Sequence, residues 1–208
     1  MPNRVEQPFA EVSTGQMNTV NDTVAGGTLN AAGQAQYAGT LGQRIWLDGT
    51  TTGGKYNPAI GTVYGGEFQY VRIYLSSTAT PTLGYPVAWA WDQDNSCFED
   101  YTVTTDCNSA LRTGRIAGIL LSAPTKGNYT WIQVSGKATV QFVTSLTAAT
   151  PADGDLLIVA SASGLVDDLT QTTQPTMAQL KAVIGTAIGA PVSNTTGLCL
   201  LRRQGEVV

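Results

Sequence analysis

The run Gly49-Thr-Thr-Thr-Gly-Gly-Lys55 fits G-x-x-x-x-G-K, the opening of a loop whose backbone N–H groups cradle phosphates. Its setting argues against that chemistry. Tyr56 stands where a magnesium-binding hydroxyl is required, and Asn57-Pro58 follow where a helix should point its N-terminus at the phosphates, so a plain hairpin loop is expected. The chain holds no histidine, which removes the usual general base near neutral pH and every nucleophile activated by imidazole. Four carboxylates, Asp92, Asp94, Glu99 and Asp100, gather around Cys97. A pair of them could hydrolyse a glycoside only if held on opposite sides of the substrate, which their spacing does not secure. The same oxygens suit calcium, yet the central glycine and terminal glutamate of an EF-hand loop are missing, and a solvated loop is expected. No catalytic residue, metal site or cofactor follows from these types and spacings, and the chain reads as a non-enzyme.

Trp46, Trp89, Trp91 and Trp131, with eight tyrosines, offer enough aromatic surface for a sugar-stacking platform, though aromatics on strands more often fill a core or a subunit interface. Cys97, Cys107 and Cys199 make an odd count and read as buried thiols of a reducing compartment, with a Cys97–Cys107 bridge formed after release as the alternative. Asn21, Asn128 and Asn194 open N-x-T acceptors that matter only in a secreted chain.

Strands must position these groups. From Phe68 to Leu75, Val71, Ile73 and Leu75 alternate with Phe68, Tyr70 and Tyr74, so both faces are covered, as in a sandwich or barrel wall. From Pro86 to Trp91, bulky Val87, Trp89 and Trp91 alternate with Ala88 and Ala90, which leaves room for a second backbone on the small-residue face. Turns are expected near Asp92 and Asp106, and further strands at 115–121, 130–134, 137–143 and 156–160, giving an all-β, mainly antiparallel fold. An internal repeat aligns Ile116-Ala-Gly-Ile-Leu-Leu-Ser-Ala-Pro124 with Val183-Ile-Gly-Thr-Ala-Ile-Gly-Ala-Pro191, placing Gly118 on Gly185. Each copy leads through a polar turn to a new strand, from Trp131 or from Leu198, which predicts two similar hairpins. One short helix is expected after Pro175, with Thr176 and Gln179 as a capping box and Met177, Leu180 and Ile184 on one face, giving way to strand near Lys181.

The β-rich region spans 41–208, as one β-sandwich or barrel-like domain or as two packed β units of about 41–110 and 111–208. Residues 1–40 hold few large apolar groups and cannot offset their own ordering entropy, so they read as an extended arm, loose or ordered against a neighbouring subunit. Charged residues make up 12% of the chain, about half of the roughly 25% usual in a soluble domain, while threonine occurs 29 times. A neutral polar surface repels its own copies weakly and costs little to desolvate, which favours packing into a shell. With a net charge of -4 and basic residues scattered apart from Arg202-Arg203, nucleic acid is not an expected partner. No apolar run approaches the roughly 20 residues that span a bilayer, and the N-terminus lacks the layout of a signal peptide, so a cytoplasmic site of synthesis is expected and a membrane partner is not.

Several segments together carry a resemblance: Gly65-Gly-Glu-Phe-Gln-Tyr-Val71, Leu83-Gly-Tyr-Pro-Val87, Arg115-Ile-Ala-Gly-Ile-Leu-Leu121, Gly127-Asn-Tyr-Thr-Trp-Ile-Gln-Val-Ser-Gly-Lys-Ala138, Asp153-Gly-Asp-Leu-Leu157, Ile184-Gly-Thr-Ala-Ile-Gly-Ala190 and Leu198-Cys-Leu-Leu201. Over about residues 60 to 203 this rhythm of short strands and glycines resembles the head decoration (cement) proteins of tailed bacteriophages. The resemblance implies a β-rich trimer on the outer capsid surface, bound to the major capsid protein of an expanded head and assembled in the bacterial host cytoplasm. The arm lies outside the shared rhythm. Its Arg4, Phe9 and Val12 are candidate anchors to the capsid. A receptor- or glycan-binding module of a fibre or tail is the alternative, with the aromatic strands as its platform.

Overall fold

The computed structural model describes residues 41–47, 65–75, 77, 79–92, 97–107, 115–147, 152–160, 164–169, 176, 179–180 and 182–202. They contain the strands β1 (Arg44–Leu47), β2 (Gly66–Ile73), β3 (Pro86–Asp92), β4 (Cys97–Thr104), β5 (Ile116–Leu120), β6 (Tyr129–Gln133), β7 (Gly136–Gln141), β8 (Leu156–Val159), β9 (Val166–Asp168), β10 (Val183–Ile188) and β11 (Thr196–Leu201). Two mostly antiparallel sheets result, β1-β2-β4-β3-β5-β6 and β7-β11-β10-β8-β9, dividing the chain between Gln133 and Gly136. The fold is all-β. In the first sheet β2 also pairs with β6, so β2, β4, β3, β5 and β6 close into a small barrel. The remaining edge of β2 is shared: β1 takes Gly66–Gln69, and β4, running parallel, takes Arg72 and Ile73.

The second sheet repeats the first strand by strand. Val87↔Gly118 between β3 and β5 corresponds to Leu157↔Gly185 between β8 and β10, and Ala88↔Ile116 corresponds to Ile158↔Val183. Both ladders shift register at the same place, leaving Ala117 and Ile184 as the extra residues of matching bulges. Leu120↔Ile132 between β5 and β6 matches Ala187↔Cys199 between β10 and β11, while Gln69↔Ile132 between β2 and β6 matches Ala138↔Cys199 between β7 and β11. Even the parallel closure recurs, Ile73↔Val103 in one copy and the isolated bridge Phe142↔Val166 in the other. The two hairpins expected from the sequence are therefore parts of two similar five-stranded units, hereafter barrel one and barrel two.

Gly118 and Gly185 show why the repeat keeps glycine beside the bulge. A Cβ on Gly118 would lie 2.5 Å from the Gln133 carbonyl oxygen, and one on Gly185 would lie 2.1 Å from that of Leu200, the corresponding residue. The neighbouring strand passes too close for any side chain.

Alternation fills each interior. Val71, Ile73, Val87, Val103, Leu120 and Ile132 form the core of barrel one, and Val140, Phe142, Leu157, Val166, Ile184 and Cys199 belong to that of barrel two. Ala88, Ile116 and Ile119 sit on the outer face of barrel one, yet they join the barrel-two cluster and are at most 3% exposed. Small Ala88 thus admits a second layer, as the pattern of β3 predicts. Burying an isoleucine there contributes about 1.5–3 kcal/mol.

Two local readings change and a third holds. The sequence groups Leu75 with Val71 and Ile73, but β2 ends at Ile73 and Leu75 is 64% exposed, because Ile73 already accepts from Gly127 N–H as the chain turns away. The region around Cys97, expected as a loop, includes strand β4, whose hairpin pairs Asp92 with Cys97. The capping box forms: Thr176 N–H donates to Gln179 Oε1 at 2.9 Å and Gln179 N–H to Thr176 Oγ1 at 3.2 Å. Gln179 and Leu180 are helical, and Leu180 N–H donates to Thr176 O at 3.0 Å, so the box opens the short helical turn expected there, and Val183 begins β10.

Candidate functional site

Each barrel has a seam where its first and third strands barely meet, and each seam is closed differently. In barrel one, Gly42 N–H donates to Tyr70 O at 2.8 Å and Tyr70 N–H to Gln43 O at 2.9 Å, continuing the pairing that β1 makes with β2. Gln69 Nε2 donates to Gly42 O at 3.3 Å, while its Oε1 is a buried acceptor without a partner. Tyr101 finishes the closure: its ring lies against Gly42, where a Cβ would come within 2.4 Å of a ring carbon, and meets Trp89 edge-on with centroids 6.5 Å apart.

Tyr101 adopts φ 48°, a left-handed conformation that a side chain disfavours by about 1–2 kcal/mol. Its counterpart ahead of β9 is Gly164, with φ 80°. Barrel one therefore accepts backbone strain to place an aromatic ring at its seam. In barrel two the seam is filled by barrel one instead. Gln141 N–H donates to Gly84 O at 3.1 Å, and the Tyr85 ring covers Gly164, whose Cβ would fall 2.1 Å from it.

The aromatic groups are thereby split. Trp131 is buried and tilted against Tyr70, centroids 5.2 Å apart, and Trp89 packs onto the barrel-one core, whereas Trp46 on β1 is 55% exposed and Tyr101 is 45% exposed. The Trp91 side chain lies outside the described part. The four tryptophans do not form one platform, since Trp131 is buried on the outer face of barrel one and Trp89 packs onto its core. What remains outward are stacking and contact surfaces, Trp46 and Tyr101 with the apolar Leu75, Leu180, Val192 and Leu200.

Gly49–Lys55, the proposed capsid anchors Arg4, Phe9 and Val12, and Asp94 lie outside the described residues. Asp92 ends β3, while Glu99 and Asp100 lie within β4. Among the described residues no group of three His, Cys, Asp or Glu side chains is placed to hold a metal ion, and no helix is long and apolar enough to cross a membrane. Cys107 is a buried thiol donating to Pro86 O at 3.2 Å. Cys199 is buried inside barrel two, and desolvation pushes its pKa up to about 12 despite a backbone hydrogen bond with Thr186 that favours the thiolate. Sequence reasoning missed Tyr101 and Leu200. Tyr101 aligns with Gly164 only once the strands are paired, because the connections before β4 and β9 differ in length.

No protein-family model and no curated protein matches the chain. Among solved structures, the N base of the head fibre gp8.5 of bacteriophage phi29 is similar at 12% identity and a TM-score of 0.36, covering 68% of this chain and 98% of that one. Likeness at that level does not establish a common fold.

Proposed function

We propose that the chain is a non-catalytic structural protein of a tailed-phage particle, a decoration (cement) protein that binds the mature head lattice. The observation that carries this reading is the surface. A chain with only 12% charged residues leaves Trp46, Leu75, Tyr101, Leu180, Val192 and Leu200 exposed, which suits a molecule that spends its exterior on docking. In this reading the chain acts as a homotrimer on the outer capsid surface, bound to the major capsid protein, with residues 1–40 reaching the lattice through Arg4, Phe9 and Val12. A ligand that binds only the expanded lattice stabilises it by mass action, and a trimer adds multivalency. Cosedimentation with expanded heads tests this: the full chain pellets with them, and deletion of residues 2–40 weakens binding at least tenfold. A chain that never pellets with heads overturns the reading.

Trp46 and Tyr101 favour a second reading, a glycan-binding module of a fibre or tail. On a glycan array that reading requires a signal lost in Trp46→Ala and Tyr101→Ala, whereas a cement protein ignores the sugars.

A further inference from the structure

The two barrels differ most on one face. On the outer side of barrel two, Leu156 and Ile158 of β8, Val183 and Ile188 of β10, and Leu198 and Leu200 of β11 stand side by side across three adjacent strands. All six are at least partly exposed, Leu200 by 52%. Their structural counterparts in barrel one are Pro86, Ala88, Ile116, Leu121, Trp131 and Gln133, and every one of those is buried. Five of the six positions are apolar in both copies, Gln133 standing where barrel two has Leu200, yet only the barrel-one face is covered. Charges stay at the margins, with Lys137 on β7, Asp167 on β9 and Arg202 just past β11.

What such a face binds can be read from barrel one. There, Ala88 and Ile116, the counterparts of Ile158 and Val183, are covered by a barrel of the same fold, joining its core cluster. The internal contact is not simply repeated at the other end. Tyr85, whose ring covers Gly164 at that contact, has Asp155 as its counterpart in barrel two, and Leu83 has Asp153. Those carboxylates cap their own surroundings: Gly189 N–H donates to Asp153 Oδ1 at 2.6 Å and Ala152 N–H to Asp155 Oδ2 at 2.7 Å. The rim is thus shut against a head-to-tail filament, while the sheet face beside it stays apolar and free of charge.

We infer that the outer face of β8, β10 and β11 is the surface by which copies of this chain associate with one another. The uncharged Leu, Ile, Val and Thr stripe is self-complementary and offers no charge for a highly charged partner to match. This names the self-association that the virion reading requires, and it rests on that reading only in taking further copies as the occupant.

Analytical ultracentrifugation of the full chain tests it, with circular dichroism confirming the fold of each variant. The wild type sediments as an oligomer. Leu200→Lys and, as a second variant that removes no apolar group, Thr186→Arg each weaken association at least tenfold, while Trp46→Ala leaves it unchanged. A monomeric wild type overturns the inference, as does an oligomer that either folded variant leaves intact. Head cosedimentation of the same samples separates the two readings: variants that remain oligomeric and still pellet with heads sink this surface and leave the decoration role standing.

Discussion

Gly154 and Gly185 serve the same barrel for different reasons, and substitution separates them. At Gly185 a Cβ would collide with the Leu200 carbonyl oxygen at 2.1 Å and the Cys199 sulfur at 2.7 Å, so Gly185→Ala must force β10 and β11 apart. Gly154 has φ +87° with nothing within 4 Å, so alanine there meets only backbone strain, about 1–2 kcal/mol. Urea denaturation should give a clearly larger loss for Gly185→Ala, on the order of 3 kcal/mol. At Cys199 the raised pKa sets a pH dependence. Below pH 9 the thiol is protonated folded or unfolded and pH has no leverage through it. Between pH 9 and about 12 the unfolded thiol ionises while the buried one does not, so stability falls as pH rises. Cys199→Ala should flatten that alkaline slope in thermal melts, and Cys199 should resist thiol reagents at pH 8 until the chain unfolds.

At the scale of elements, β5 works on both sides. Leu120 faces the barrel-one core, whereas Ile116 and Ile119 belong to the cluster that fills barrel two. Ile119→Ala is expected to cost about 2–5 kcal/mol and to loosen barrel two, because the cavity opens where the barrels meet. Amide hydrogen exchange would register this as lost protection in β10 and β11, strands that do not pair with β5. Much of this level is legible in the sequence. The alternation of Val87 and Trp89 with Ala88 and Ala90 announces a strand with a closely approached face, and the Ile116 and Val183 repeats announce two hairpins of one design. Strand β4 escapes because Glu99, Asp100 and Tyr101 carry no apolar alternation; it is held by its neighbours, through pairs such as Trp89↔Val103 and Ile73↔Val103. β9, at three residues, is too short for periodicity to mark.

For the whole molecule, barrel two depends on barrel one, since Ala88, Ile116 and Ile119 complete its core and Gly84 closes its seam. A fragment of residues 136–208 alone should therefore lack a cooperative thermal transition and bind hydrophobic dyes, while the full chain unfolds in a single calorimetric step. The sequence by itself determined the all-β class, the strand faces, the repeated hairpin and the low-charge exterior, because each depends on side chains adjacent along the chain or recurring at short period. Closure of the strands into two similar barrels, the choice of Tyr101 where the other copy has Gly164, and the exposure of one apolar face whose twin is buried were decided only in three dimensions. Those features depend on which backbone edges meet across long separations, and local patterning places no constraint on that.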